Sequence, residues 1–289
     1  LDYQTTFVEG ELFAFLVAGD AMLSDLDGDL IQSVFINLTN PQDGAQEVLN
    51  SISFGAVTVT STGHTLTLTG PASISEFELI LQTITYENRA GEPSETQTPR
   101  LVVFTVSDES LVSLPAVTSV LIQSVNDPPS LLLGGTVRDI TLTYTETDPN
   151  LPLFPANFAL FDPDSELISF VNVTIVNFES GIDRFLFSME ATNLTVEVFS
   201  GTLLVSGPGP IEEFISVLRN VAYLNTLVVG ENIEQLQGGK VLQYSASDGF
   251  KTSQIATAFI TFSAVNDPPF VDLNGAEEGK DFFTLLTEG

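Results

Sequence analysis

The sequence predicts an all-β chain of two tandem β-sandwiches, each with one short helix. Three observations predict it: short runs alternating polar and apolar residues, turn residues between the runs, and recurrence of the whole pattern at an offset of 137 residues. Thr58-Val59-Thr60 and Thr65 to Thr69 alternate around Thr62-Gly63-His64, and Thr195 to Phe199 lead into Ser200-Gly201, so both repeats place a hairpin here. Leu101 to Val106 and Ala116 to Val125 read as further strands. Adding Tyr3 to Val8, Leu12 to Ala18 and Ser33 to Thr39 gives about seven strands per unit, the count of an immunoglobulin-like sandwich. The helix is the exception to the period of two. Phe77, Ile80, Leu81 and Ile84, and again Phe214, Val217, Leu218 and Val221, follow helical spacing, and their apolar face is expected to close one end of each sandwich.

The repeat extends to the charged residues. Glu9 to Val34 lies on Glu146 to Val171 without a gap, which pairs Asp25-Leu26-Asp27 with Asp162-Pro163-Asp164. The same register carries Gly70-Pro71 to Gly207-Pro208, Phe77 to Phe214, Tyr86 to Tyr223 and Asn88 to Asn225. Three extra residues then enter after Asn225, so Ser107-Asp108 meets Ser247-Asp248, and Val125-Asn126-Asp127-Pro128-Pro129 meets Val265-Asn266-Asp267-Pro268-Pro269, at an offset of 140. The expected domains are residues 1–127 and 128–267, with 268–289 as the start of a third repeat, since Thr287-Glu288-Gly289 resembles Val8-Glu9-Gly10. The sequence thus reads as a window of a longer protein. Consecutive prolines at 128 and 129 hold the linker extended and stop a paired strand from continuing through it.

A hydrophobic content of 43% is enough to build a core in each unit. The 38 Asp and Glu against 8 Lys and Arg give a net charge of −30. That balance argues against nucleic acid and anionic membranes as partners, since both are held by basic residues. Clustered acids call instead for a counter-ion such as calcium, although an acidic face can also serve solubility alone. The absence of cysteine removes disulfides, thiolate metal sites and cysteine nucleophiles. No apolar run reaches the length of a membrane span, so no membrane insertion is expected of this segment.

Calcium takes six to eight oxygen ligands, and each repeat offers acids and an amide from separate segments. The first set is Glu9, Asp25, Asp27, Asp108, Asn126 and Asp127; the second is Glu146, Asp162, Asp164, Asp248, Asn266 and Asp267. Asp25-Leu26-Asp27-Gly28-Asp29 is not an EF-hand: position twelve is Ile36 where a Glu is required, and the glycine stands fourth. Catalysis finds little support. His64, the sole histidine, falls in a hairpin turn where the second repeat has Gly201, and acids recurring in every unit suit a repeated structural site better than a glycosidase pair. No enzyme activity is expected.

The Asn-Asp-Pro-Pro linkers, the early Glu9 and Glu146, the Asp-x-Asp pairs and the Ser-Asp pairs at 107–108 and 247–248 occur in an order that resembles tandem cadherin-like repeats, Greek-key sandwiches of large extracellular surface proteins. The resemblance implies calcium between successive repeats. One junction would gather Glu9, Asn126 and Asp127 with Asp162, Asp164 and Asp248; Asp25, Asp27 and Asp108 would face a preceding repeat, and Glu146, Asn266 and Asp267 a following one. The chain departs from the family pattern at Ser124 and Ala264, where an acid usually stands. It departs again at Tyr86-Glu87-Asn88 and Tyr223-Leu224-Asn225, which replace Asp-Arg-Glu, so fewer ions per junction or weaker binding is expected.

Asn37-Leu38-Thr39, Asn172-Val173-Thr174 and Asn193-Leu194-Thr195 are glycosylation sequons. The expected role is a calcium-stiffened extracellular or cell-surface module for adhesion or matrix scaffolding. Its partners would be other repeats of the same chain and homophilic or lateral protein contacts. The alternatives are a subunit of an extracellular filament or surface appendage, or a spacer array in a larger surface protein.

Overall fold

The computed structural model describes residues 3–94, 98–188, 192–229, 236, 238–266, 271 and 273. It divides into two compact units, Leu1–Asn126 and Asp127–Gly289. The first contains β1 (Tyr3–Val8), β2 (Ala14–Phe15), β3 (Ile31–Leu38), β4 (Glu47–Asn50), β5 (Thr58–Ser61), β6 (Thr65–Ala72), α1 (Ile74–Leu81), β7 (Thr85–Asn88), β8 (Arg100–Ser107) and β9 (Ala116–Gln123). A six-stranded sheet in the order β1-β9-β8-β3-β6-β5 faces a three-stranded sheet, β2-β7-β4. Strands β1 and β9 run parallel, while β3 is antiparallel to both β6 and β8.

Alternation explains the core. Strand β3 turns Val34, Ile36 and Leu38 inward and β6 turns Leu66 and Leu68 inward, where they meet Phe77 and Ile80 of α1 and Tyr86 of β7. Each such side chain contributes about 1.5–3 kcal/mol when fully buried. The helix starts because Ser73 and Glu76 form a capping box: Glu76 N–H donates to Ser73 Oγ (3.4 Å) and Ser73 N–H donates to Glu76 Oε2 (3.1 Å).

The second unit contains β10 (Ser130–Leu132), β11 (Ile140–Thr145), β12 (Leu151–Pro152), β13 (Ala159–Phe161), β14 (Leu167–Ile175), β15 (Asp183–Leu186), β16 (Thr195–Phe199), β17 (Thr202–Pro210), α2 (Ile211–Leu218), β18 (Ala222–Asn225), α3 (Thr226–Val229), β19 (Lys240–Ser247) and β20 (Ala256–Ser263). Its large sheet, β11-β20-β19-β14-β17-β16, repeats the first, as does β12-β18-β15; β10 and β13 add a two-stranded sheet. Both units place a bulge at the same register, between Ile31 and Ser33 and between Ile168 and Phe170.

The all-β sandwich and the hairpins stand where the sequence places them, and the helices carry Phe77, Ile80 and Leu81 and Phe214, Val217 and Leu218 but end before Ile84 and Val221. In the β16–β17 turn Ser200 (φ 46°) and Gly201 (φ 78°) both take the left-handed conformation that a tight hairpin requires. Two other details differ. The strand expected over Leu12 to Ala18 shrinks to β2: Ala14 and Phe15 pair in register with Tyr86 and Thr85, Leu16 adds one bond from its N–H to Ile84 O (3.0 Å), and Leu12 is 84% exposed. The second unit also has a second short helix, α3, which starts where the extra residues enter after Asn225. The proposed third repeat lies almost wholly outside the described residues.

Candidate metal centre

Strand direction sorts the acids of each unit between two ends of its large sheet. Because β3 is antiparallel to β8, with Ser33 opposite Ser107, the loop before β3 carries Asp25 and Asp27 to the end where Asp108 follows β8. Because β1 and β9 are parallel, with Val8 opposite Gln123, Glu9 reaches the other end beside Val125 and Asn126. The second unit does the same: Asp162, Asp164 and Asp248 share one end, and Glu146 sits with Val265 and Asn266 at the other.

Local hydrogen bonds build each acid the same way twice. Asp25 Oδ1 accepts from the N–H groups of Asp27 (3.0 Å), Gly28 (2.8 Å) and Asp29 (3.3 Å), and Asp162 Oδ1 accepts from Asp164 (3.0 Å) and Ser165 (2.8 Å). Asp108 Oδ1 accepts from Ser110 (2.5 Å) and Leu111 (2.7 Å), and Asp248 Oδ1 from Phe250 (2.6 Å) and Lys251 (2.7 Å). Glu9 Oε2 accepts from Val125 N–H (2.8 Å) and Glu146 Oε2 from Val265 N–H (2.9 Å). One oxygen of each carboxylate fixes a turn or strand end, and the turn does not need the other.

The end of the second unit that holds Asp162 is the more crowded. Asp127 N–H donates to Asp164 Oδ2, and Lys251 Nζ comes within 3.9 Å of Asp127 Oδ1. Burial pushes the Asp162 carboxyl above the ordinary carboxylate range; hydrogen bonds from Asp164 and Ser165 oppose the shift, and the charges of Asp248 and Asp164 add to it. In the first unit, hydrogen bonds from Leu111 and Ser110 hold Asp108 below that range. Glu9 Oε1 and Asp162 Oδ2 are buried atoms without a hydrogen-bond partner. A buried, unpaired carboxylate oxygen is costly in water-free surroundings, and a hard cation is the partner that suits it. The donor set therefore fits calcium.

Sequence reasoning missed Glu92, whose carboxylate comes within 4.8 Å of that of Glu9. At the two repeat offsets the second unit has Val229 and Asn232, not an acid, so no repetition flags it. Asp267 also lies outside the described residues. Asn126 and Asp127 are half-buried and Asn266 is exposed.

The Tyr-x-Asn departures build something else, a buried ionic network. In the first unit Tyr86 OH donates to Glu47 Oε1 (2.6 Å), Arg100 Nε donates to the same oxygen (2.8 Å), and Arg100 Nη2 and Asn88 Nδ2 donate to Asp43 Oδ2 (2.8 and 2.7 Å). In the second unit Tyr223 OH donates to Asp183 Oδ1 (2.5 Å), Asn225 Nδ2 donates to Asp183 Oδ1 (3.2 Å), and Lys240 Nζ donates to Asp183 Oδ2 (2.9 Å) and Glu179 Oε1 (2.7 Å). Burial, with Glu47 and Asp183 as acceptors, raises the pKa of both tyrosines. The acids of these networks already have side-chain cations. The signal for them in the sequence was a basic residue opening the same strand, Arg100 and Lys240, in a chain with so few.

Asn37 and Asn172 lie half-buried in the central strands β3 and β14, and Asn172 Oδ1 is buried without a partner. Asn193 is exposed ahead of β16. His64 Nε2 lies 2.8 Å from Gly44 O. No described helix is long and apolar enough to cross a membrane.

No protein-family model matches the chain, and no curated protein matches it in sequence. Among solved structures it is similar to Drosophila N-cadherin EC1-4 at 14% identity and a TM-score of 0.32, covering 91% of this chain and 49% of that one. It is similar to mouse cadherin-23 EC22-24 at 13% identity and a TM-score of 0.37, covering 92% and 65%. Human mucin-like protocadherin EC1-2 follows at 12% identity and a TM-score of 0.30, covering 79% and 92%. The chain thus spans about half the length of the Drosophila structure it matches.

Proposed function

We propose that the chain is a calcium-binding, non-enzymatic repeat module of an extracellular or cell-surface protein, serving adhesion or matrix scaffolding. The observation that carries this reading is the duplication of each acid together with the hydrogen bonds that fix it, from Asp25 and Asp162 to Glu9 and Glu146. A catalytic centre has no need to recur in every unit, whereas a repeated structural ion does.

Asp127, Asp162, Asp164 and Asp248 would supply the ligands of the second unit, and Glu9, Glu92 and Asn126 those of the first. Asn126 and Asp127 are adjacent in the chain, and the proposal of one shared junction rests on that link. Asp25, Asp27 and Asp108, and likewise Glu146, Asn266 and Asp267, would serve neighbouring repeats. Bound calcium supplies the divalent charge that offsets carboxylate repulsion and pairs the unsatisfied oxygens. Of the three sequons, at Asn37, Asn172 and Asn193, the exposed one at Asn193 fits the same extracellular setting best.

Hydrogen exchange with and without a chelator tests the reading. Calcium should slow exchange at the amides of residues 162–165 and 248–251, which the carboxylates organise. Exchange unchanged there would overturn it.

A further inference from the structure

The segment that follows β7 is tied at both ends to the buried network of the first unit. Arg89 N–H donates to Gln46 O (3.0 Å) and Ala90 N–H donates to Asn88 Oδ1 (3.0 Å). At its far end Ser94 N–H donates to both oxygens of Asp43 (3.1 and 3.0 Å), Ser94 Oγ donates to Asp43 Oδ1, and Arg100 Nη1 donates to Ser94 O (2.7 Å). Pro93 between these ties is buried, and Glu92 is exposed.

Strand β1 is set on the same network from the other side. Phe7 packs edge-on against Tyr86, with ring centroids 5.5 Å apart, and Tyr86 OH donates to Glu47 Oε1 (2.6 Å). Glu9 stands two residues beyond Phe7, its Oε2 taken by Val125 N–H and its Oε1 buried without a hydrogen-bond partner. One network thus registers both carboxylates, which come within 4.8 Å of each other. Like charges that close repel, and a loose segment would carry Glu92 out into water.

The second unit lacks both the acid and the clamp among its described residues. After Asn225 the chain turns into α3, with Asn225 Oδ1 accepting from Leu227 and Val228 N–H (3.0 and 3.4 Å), and Val229 and Asn232 stand where the two offsets place the match of Glu92. Lys240 Nζ donates to Asn177 O, Glu179 and Asp183, which all come from the β14–β15 connection or the first residue of β15. Arginine, whose fork has a further N–H for Ser94 O, stands in the unit where an acid-bearing segment has to be held.

We infer that Asp43 and Arg100 are positioning residues for a cation ligand: by clamping Ser94 they hold Glu92 beside Glu9. The inference rests on the reading of Glu9 and Glu92 as calcium ligands, and it makes the affinity of that site depend on groups that touch no ion. Partners that orient metal ligands change affinity by about tenfold or more.

Two measurements on the full chain test it. In chelator, amide exchange at Ser94 should be slower in wild type than in Asp43→Asn; equal exchange would overturn the inference whether or not calcium binds. Calorimetric titration then reads the ligand. Glu92→Gln and Asp43→Asn should each weaken calcium binding, Asp43→Asn by about tenfold, and Asp43→Asn should cost nothing more in a chain that already carries Glu92→Gln. Ser94→Ala, which leaves every buried charge paired, should weaken binding in the same direction by less. Undiminished affinity in Asp43→Asn or Ser94→Ala, or a loss from Asp43→Asn that adds in full to that of Glu92→Gln, would overturn the inference. Faster exchange at Ser94 in Asp43→Asn, with no calcium bound by wild type, would leave the clamp in place and overturn instead the reading of Glu9 and Glu92 as ligands.

Discussion

Arg100 and Lys240 occupy the same position of the two repeats and neutralise the same kind of buried acid, but in different ways. The guanidinium of Arg100 spans two carboxylates that are both out of water, Asp43 (side chain 8% exposed) and Glu47 (0%), and adds a bond to Ser94 O at 2.7 Å. The ammonium of Lys240 faces one fully buried carboxylate, Asp183 (0%), and one half in solvent, Glu179 (57%). A planar fork is used where two acids must be satisfied at fixed positions; a point charge suffices where one can turn to water. Fold and network are thus kept through the repeat while the cation is not.

The largest effect should come from breaking that network. Arg100→Ala is expected to destabilise the first unit by about 3–5 kcal/mol, since it strands buried charge. Lys240→Ala should cost the second unit less, because Glu179 relaxes into solvent. Urea unfolding followed by hydrogen exchange separates the units, and equal losses would break the comparison. Next comes the feature the units share: Tyr86→Phe and Tyr223→Phe should each cost about 1–3 kcal/mol by removing a donor from a buried carboxylate. Unequal losses there would show that the two networks are not equivalent.

Acid sharpens the contrast further. Burial tends to raise the pKa of Asp43, but hydrogen bonds from Ser94 and Asn88 and the charge of Arg100 outweigh it and hold the group below its ordinary 3.8. A carboxyl depressed in the folded state stabilises above its unfolded pKa and loses that contribution as pH falls through the folded value. Local exchange protection at residues 42–47 should therefore fall as pH drops below the ordinary carboxylate value, and Asp43→Asn should remove that dependence. The smallest effect concerns sugar. In a eukaryotic host, glycan should load most fully on exposed Asn193 and least on Asn172, whose Oδ1 is buried within the central strand β14. Peptide mapping after glycosidase treatment reads the occupancy.

Much of this was legible in the sequence because repetition doubled every signal. The hairpins, the helices over Phe77 and Phe214, and the pairing of Asp25 with Asp162 all follow from period and register. The partners of Tyr86 and Asn88 did not. Glu47 and Asp43 lie some 40 residues before them in the chain, and the acid on the other side moves from Glu47 to Asp183 with a different offset, so no repeat marks it. The short extent of β2 was also hidden, since the apolar Leu12 and Phe13 are both exposed rather than set against a partner strand. Glu92 stands alone and carried no pattern at all.

The account rests on calcium binding by the acids around Asp162, and calorimetric titration of the chelator-stripped chain tests it most directly. Wild type should bind with a Kd on the order of 10⁻⁴ to 10⁻³ M, in the range of extracellular modules. Asp162→Asn with Asp248→Asn should abolish the site of the second unit, while Tyr223→Phe, in the buried network, should leave the heat of binding unchanged. No heat from wild type, or an undiminished signal from the double variant, would contradict the account.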